Sequence, residues 1–88
     1  MRLLFTDHGW NDYLHWQATD AAKLKRLNEL LRDCMRQPFK GLGKPEPLKG
    51  DLSGWWSRRL DDEHRLVYRL VGKAEDQRLE VAACRLHY

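Results

Sequence analysis

The sequence has no apolar run long enough to cross a bilayer, so no membrane association is expected. Its opening, MRLLFTDHGW, has one arginine and an apolar stretch too short for a secretory signal, and the expected location is the cytoplasm. Cysteine is scarce. Cys34 and Cys84 lie far apart, without the close Cys or His spacing of a zinc site. A reducing cytosol argues against a disulfide between them, and both read as small buried hydrophobes. No Ser or Cys has a base beside it in sequence, which speaks against a nucleophilic triad. No metal or cofactor is signalled, and internal repeats and low-complexity tracts are missing.

What is present fits one domain spanning residues 1–88. A chain this short buries a thin core and has no room for a cofactor-sized second layer. Four Trp, three Tyr and two Phe therefore supply much of the burial. The net charge of +3 and pI near 9.1 are a mild basic excess. Placement says more, because Lys40, Lys44, Lys49, Arg58, Arg59, Arg65 and Arg69 cluster in and just after the middle third, as a candidate basic face.

RLLFT, residues 2–6, reads as a strand. Thr6 and Asp7 offer capping oxygens for a helix over about residues 8–18, with Trp10, Tyr13, Leu14 and Gln17 at helical spacing and Trp16 off that stripe. Thr19 or Asp20 caps a second helix. Leu24, Leu27, Leu31 and Cys34, flanked by Leu30 and Met35, form its apolar side, and Pro38 ends it. Its Lys23, Lys25, Arg26 and Arg32 read as a solvated face. Residues 37–50 hold all three prolines and read as a loop. Pro45 and Pro47 bracket Glu46 and stiffen the backbone that presents it. Three strand-like runs follow, ending near Leu60, spanning about 63–71, and starting near Arg78. The expected fold is α+β, with two N-terminal helices packed on a mainly antiparallel sheet.

Alternation gives a register. Leu66, Tyr68 and Leu70 point one way, and Arg65, Val67 and Arg69 the other. If Leu60 shares the side of Leu66, Arg59 falls beside Arg65, which requires an odd hairpin loop or a bulge near residues 61–63. Like charges so placed are destabilising unless an anion or carboxylate sits between them. In the last run, Val81, Ala83, Arg85 and His87 form one set and Ala82, Cys84 and Leu86 the other, with His87 assigned to the polar face.

The residues able to do chemistry are Glu46, Lys49, Arg59, Glu63, Arg65, His87 and Tyr88. A carboxylate and an imidazole serve as base and acid, and Lys and Arg hold a phosphate and its extra transition-state charge. Those are the parts of metal-free RNA cleavage. The plain reading stands beside it. His87 is then an ordinary strand-end histidine, Glu46 a loop carboxylate, and Glu63 with Arg65 a surface ion pair. His8 and His15 are helix-surface residues, His64 a hairpin residue, and Trp55 and Trp56 core or interface. The residues alone reach a basic α+β domain with a candidate phosphate site, and no substrate.

KPEPLKGDLSGWWSRRLDDEHRLVY (residues 44–68), the terminal ACRLHY and the early W-DYLHWQ-TD together resemble the YoeB toxins, in the RelE-type superfamily of bacterial toxin–antitoxin modules. The resemblance spans nearly the whole chain. It implies a RelE-like fold and a bacterial toxin that enters the ribosomal A site and cuts mRNA there, without cofactor. By the same resemblance Glu46 is the general base, His87 the general acid, Arg65 the support of the scissile phosphate, and Tyr88 a substrate-positioning group. Lys49 and Arg59 lie near the phosphates, and Glu63 holds an arginine. The implied partners are a YefM-type antitoxin, the ribosome and mRNA, and a second copy of the chain, faced by Trp10, Trp16 or Trp55. Operator DNA is contacted only through the antitoxin complex. Two other readings use the same basic face or the same partner: a non-catalytic RNA- or ribosome-binding module, and an antitoxin-binding co-repressor. The stretch 72–78 is a few residues longer than is usual for that family.

Overall fold

The computed structural model describes residues 1–86, so the expectations for His87 and Tyr88 lie outside the described residues. Element order is β1 (Arg2–Phe5), α1 (Asp7–Thr19), α2 (Ala21–Arg36), β2 (Glu46–Pro47), β3 (Trp56–Arg59), β4 (Arg65–Val71) and β5 (Arg78–Ala83). Single 3-10 turns occupy Gly50–Leu52 and Ala74–Asp76. The sheet order is β1-β5-β4-β3-β2. β1 runs parallel to β5, and every other pair is antiparallel. The α+β expectation holds, with the short edge strand β2 inside what the sequence presents as loop.

Local chemistry starts and stops the helices where the sequence indicates. The Thr6 hydroxyl accepts from Gly9 N–H at 3.0 Å, and Asp20 Oδ1 accepts from Lys23 N–H at 3.1 Å, each satisfying an orphan donor of a first turn. Leu27, Leu30, Leu31 and Cys34 of α2 are buried at the expected spacing. They meet Leu66, Tyr68, Leu79 and Val81 from one face of the sheet, and this is the core.

α1 differs from its sequence reading. Its buried residues are Gly9, Asp12 and Trp16, while Trp10 and Leu14 are exposed and Tyr13 is half-buried. The apolar stripe through Trp10 is thus not the packed side. Trp10 and Tyr13 stack at 5.8 Å and enclose Phe5 at the rim. The sheet-facing line is chosen by close approach to β5. A side chain at Gly9 would overlap the Val81 carbonyl oxygen, so only glycine lets the helix lie there.

The β3–β4 register matches the expectation. Arg59 pairs with Arg65, leaving the odd-length hairpin loop 60–64 between them. The last strand does not alternate to its end. A register shift opposite Val67 and Tyr68 inserts Ala82 as a bulge, so Val81 points into the core and Ala83 pairs with Val67 on the other face. Beyond Ala83 the ladder stops, and Cys84 turns back into the core.

Candidate active site

Paired residues in an antiparallel sheet share a face, and so do residues two apart on one strand. Glu46 pairs with Ser57, Ser57 with Val67, and Val67 with Ala83, a row across four strands. Arg59 and Arg65 form the adjacent row. Leu66, Tyr68 and the helices occupy the opposite face, so Glu46, Arg59 and Arg65 stand together on the open one. Ser57 and Val67 are its buried floor.

Glu46 is held by its backbone. Arg59 N–H donates to the Gly43 carbonyl at 2.6 Å and Leu48 N–H to the Trp55 carbonyl at 2.9 Å, fastening the segment on both sides of the Glu46–Ser57 pair. Positions 45 and 47 alternate with Leu48, so their nitrogens turn away from β3, where proline's missing N–H is tolerated. The Glu46 side chain is exposed. Lys49, also exposed, follows immediately before the 3-10 turn.

Arg65 is half-buried, and its guanidinium donates to the carbonyls of Asp61 at 2.7 Å and His64 at 3.1 Å. Three hairpin carbonyls, Asp62 included, surround one nitrogen and aim the group without neutralising it. Among the described residues, Glu63 makes no ion pair with an arginine; its N–H instead donates to Asp61 Oδ1 at 2.8 Å. Arg59 is exposed and has no ion-pair partner among the described residues. Two arginines paired across the strands, with no ion-pair partner for either among the described residues, make a natural anion site. Farther along this face Arg69 lies 4.4 Å over the Trp55 ring while bonding Glu80 at 2.8 Å, so it is already neutralised.

Arg58 does not belong to the basic face. It is fully buried on the helix side, bonded to Asp33 at 2.6 Å, Tyr68 hydroxyl at 3.1 Å and the carbonyls of Gln37, Lys40 and Leu42. It ties the start of the proline-containing loop to the core. Asp33 also accepts the Leu42 N–H, and this bond, with those from Arg58, Gln37 and Arg36, outweighs burial and holds its carboxyl well below the usual range. Burial pushes the Tyr68 hydroxyl up to about 12, so it remains a donor, to the Pro38 carbonyl at 2.6 Å.

His64 lies in the hairpin, as expected, but it is interior. It is buried, its ring meets Trp16 edge-on at 4.7 Å, and its Nδ1 accepts the Leu86 N–H at 2.7 Å. The Leu86 carbonyl accepts the Arg65 N–H at 3.0 Å. Upstream, Cys84 N–H donates to Asp12 Oδ2 at 3.0 Å and the Trp16 indole N–H to the Cys84 carbonyl at 2.8 Å. The segment leading to His87 and Tyr88 is therefore stitched to α1 and to the hairpin that carries Arg65. The short EHR stretch before a strand gave no sign of this, because the partner lies far along the chain. An open groove of about 590 Å³ between α2 and Leu42 contains none of these candidates.

A family model described as the YoeB-like toxin of bacterial type II toxin–antitoxin systems matches residues 5–88. The chain belongs to this YoeB toxin family. Toxin YoeB of Streptomyces coelicolor is 58% identical and that of Escherichia coli K12 53% identical, each over the full length of both chains. Among solved structures, a YoeB/ParE toxin from Agrobacterium tumefaciens is 56% identical with a TM-score of 0.96, both chains fully covered. YoeB of Staphylococcus aureus, solved as a dimer and as a YoeB–YefM complex, gives TM-scores of 0.86 and 0.85 at 38% and 37% identity, covering 100% of this chain and 98% of that one. The sequence resemblance to YoeB is borne out, and with it the assignment as a toxin of a type II system.

Proposed function

We propose that this YoeB-family chain is a ribosome-dependent endoribonuclease that cuts mRNA in the A site and so halts translation. The observation that carries the reading is the open sheet face, where a carboxylate on a stiffened edge strand and two arginines on the next two strands share one side. Glu46 takes the proton of a ribose 2′-hydroxyl, and the oxygen attacks the adjacent phosphorus. Arg65, supported by Arg59 and Lys49, stabilises the extra negative charge of the pentacoordinate transition state. His87 protonates the departing 5′-oxygen, leaving a 2′,3′-cyclic phosphate and a 5′-hydroxyl. Tyr88 positions the substrate.

A YefM-type antitoxin and a second copy of the chain are the proposed protein partners, in keeping with the Staphylococcus aureus relatives. Leu3 and Leu4 on edge strand β1 and the nearby Trp10 and Leu14 are exposed, which supports a protein contact there. Operator DNA is reached only through the antitoxin. No described helix is long and apolar enough to cross a membrane, and action on ribosomes requires the cytoplasm.

Primer extension on a defined mRNA in translating ribosomes tests the activity. The intact chain is expected to cut within the A-site codon. Folded Glu46→Ala, Arg65→Ala and His87→Ala variants should each lose on the order of 10²–10⁴-fold. Salt-sensitive ribosome binding without cut ends would replace the enzyme with a binding module. A chain harmless by itself that binds antitoxin tightly would be a co-repressor.

A further inference from the structure

Residues 84–86 have left the sheet, and segments without ladder bonds ordinarily fray. Here three side chains and one main-chain N–H take the place of the ladder. Asp12 and Trp16 hold the two polar groups of Cys84, and His64 and Arg65 hold those of Leu86. Leu86 has φ +63°, a left-handed conformation that a leucine rarely adopts. The residue is 54% exposed, so core packing does not enforce that conformation. The bonds of its N–H to the His64 ring and of its carbonyl to the Arg65 N–H are what over-determine it.

We propose that His64 is a positioning residue for the terminal pair, gripping the Leu86 N–H so that the chain enters His87 in one direction. This rests on the reading of His87 and Tyr88 as cleavage groups. His64 is itself well held. Its ring lies against Trp16, its N–H donates to Asp61 Oδ1 at 2.7 Å, and its carbonyl accepts the Leu60 N–H at 3.0 Å. The Leu86 N–H assigns the acceptor role to Nδ1, leaving Nε2 as the protonated nitrogen. The neighbouring residue, Arg65, supplies the other half of the grip through its own N–H. One dipeptide thus sets the phosphate-facing guanidinium and the approach of the proposed acid together. A histidine serving only as core filler would need its ring and not its Nδ1.

Two substitutions separate these roles. His64→Phe keeps the ring against Trp16 and removes the acceptor. His64→Asn removes the ring and keeps an acceptor oxygen near the Nδ1 position. Two readouts apply to each: hydrogen exchange of the Leu86 amide by NMR, and single-turnover cleavage with ribosome binding measured separately. His64→Phe should lose protection at Leu86 and roughly tenfold to a hundredfold in cleavage rate at unchanged ribosome binding, the scale expected of a misplaced catalytic group. His64→Asn should retain both to within about threefold. Wild-type behaviour in His64→Phe, or an equal loss in both variants, would overturn the proposal. If His64→Phe does not fold, His64→Ala replaces it under the same criteria. If the intact chain cuts no ribosome-bound mRNA, the function reading fails by itself. The Leu86 amide then still decides: loss in Phe with retention in Asn upholds the grip, and any other pattern removes it.

Discussion

The Arg58 guanidinium meets the Asp33 carboxylate at 2.6 Å with the two side chains 0% and 4% exposed, joining β3 to α2 beneath the candidate site. A buried pair of this kind owes its standing to its remaining hydrogen bonds, and here Gln37, Lys40, Leu42 and Tyr68 supply them. Removing one partner strands the other. Asp33→Asn should lower stability at neutral pH by about 3–5 kcal/mol in urea melts, without altering any group on the open face.

The same pair gives a pH dependence with a definite sign. The folded chain holds the Asp33 carboxyl below its ordinary value of 3.8, so its contribution is complete above that value and is lost as pH falls below it. Asp61 adds to the effect. Burial opposes its ionisation, but the Lys23 ammonium at 2.6 Å and the His64 and Glu63 N–H groups lower its carboxyl to about 2. Wild-type stability should therefore decline between about pH 4 and pH 2. A flatter acid limb is expected for Asp33→Asn in melts across that range.

Gly9 should resist replacement. An added methyl would overlap the Val81 carbonyl oxygen, which is backbone and also accepts the Thr6 N–H at 2.9 Å. Gly9→Ala is expected to cost about 1–3 kcal/mol, against a helix propensity gain of up to about 1 kcal/mol. A variant melting at or above the wild-type temperature would show that α1 can shift on β5.

Burial raises the thiols of Cys34 to about 11 and Cys84 to about 12. Both should stay protonated at pH 8 and resist alkylation in the folded chain, reacting only as denaturant opens the core. Mass spectrometry after brief iodoacetamide exposure reads this directly. Labelling at native rates comparable to those in denaturant would mean that the core opens easily.

Lys49 and Arg59 are exposed on or beside the open face and contribute charge rather than packing. Alanine at either position should leave melting unchanged and weaken ribosome or RNA binding. The slope of log affinity against log salt should fall by about 0.7 for each phosphate of single-stranded RNA that is no longer neutralised. An unchanged slope would remove that residue from the phosphate path.

Much of the fold was legible because two periods repeat without interference. The three-and-four spacing of α2 and the two-residue alternation of β4 each require only local geometry and one apolar layer. Parity put Arg59 and Arg65 on one face once Leu60 and Leu66 share a side, and the five-residue loop 60–64 then sets them directly opposite. The candidate residues Glu46, Arg59 and Arg65 could also be singled out by type and by the prolines around Glu46. Their common face needed the short β2–β3 pairing, which a proline-rich segment conceals.

Motif blocks spread over nearly the whole chain were enough for the family, and local periodicity for the α+β order and the parity of the hairpin. Which polar residues are interior was settled by long-range packing. Arg58 looks like a surface cation until Asp33 and three loop carbonyls surround it, and His64 looks like a hairpin residue until Leu86 arrives from the far end of the chain. Trp16 is chosen over Trp10 because Gly9 lets the helix settle on the β5 bulge. The physical reason is common to all three. A polar or aromatic group is buried only when partners satisfy it, and those partners come from segments that local periodicity does not connect.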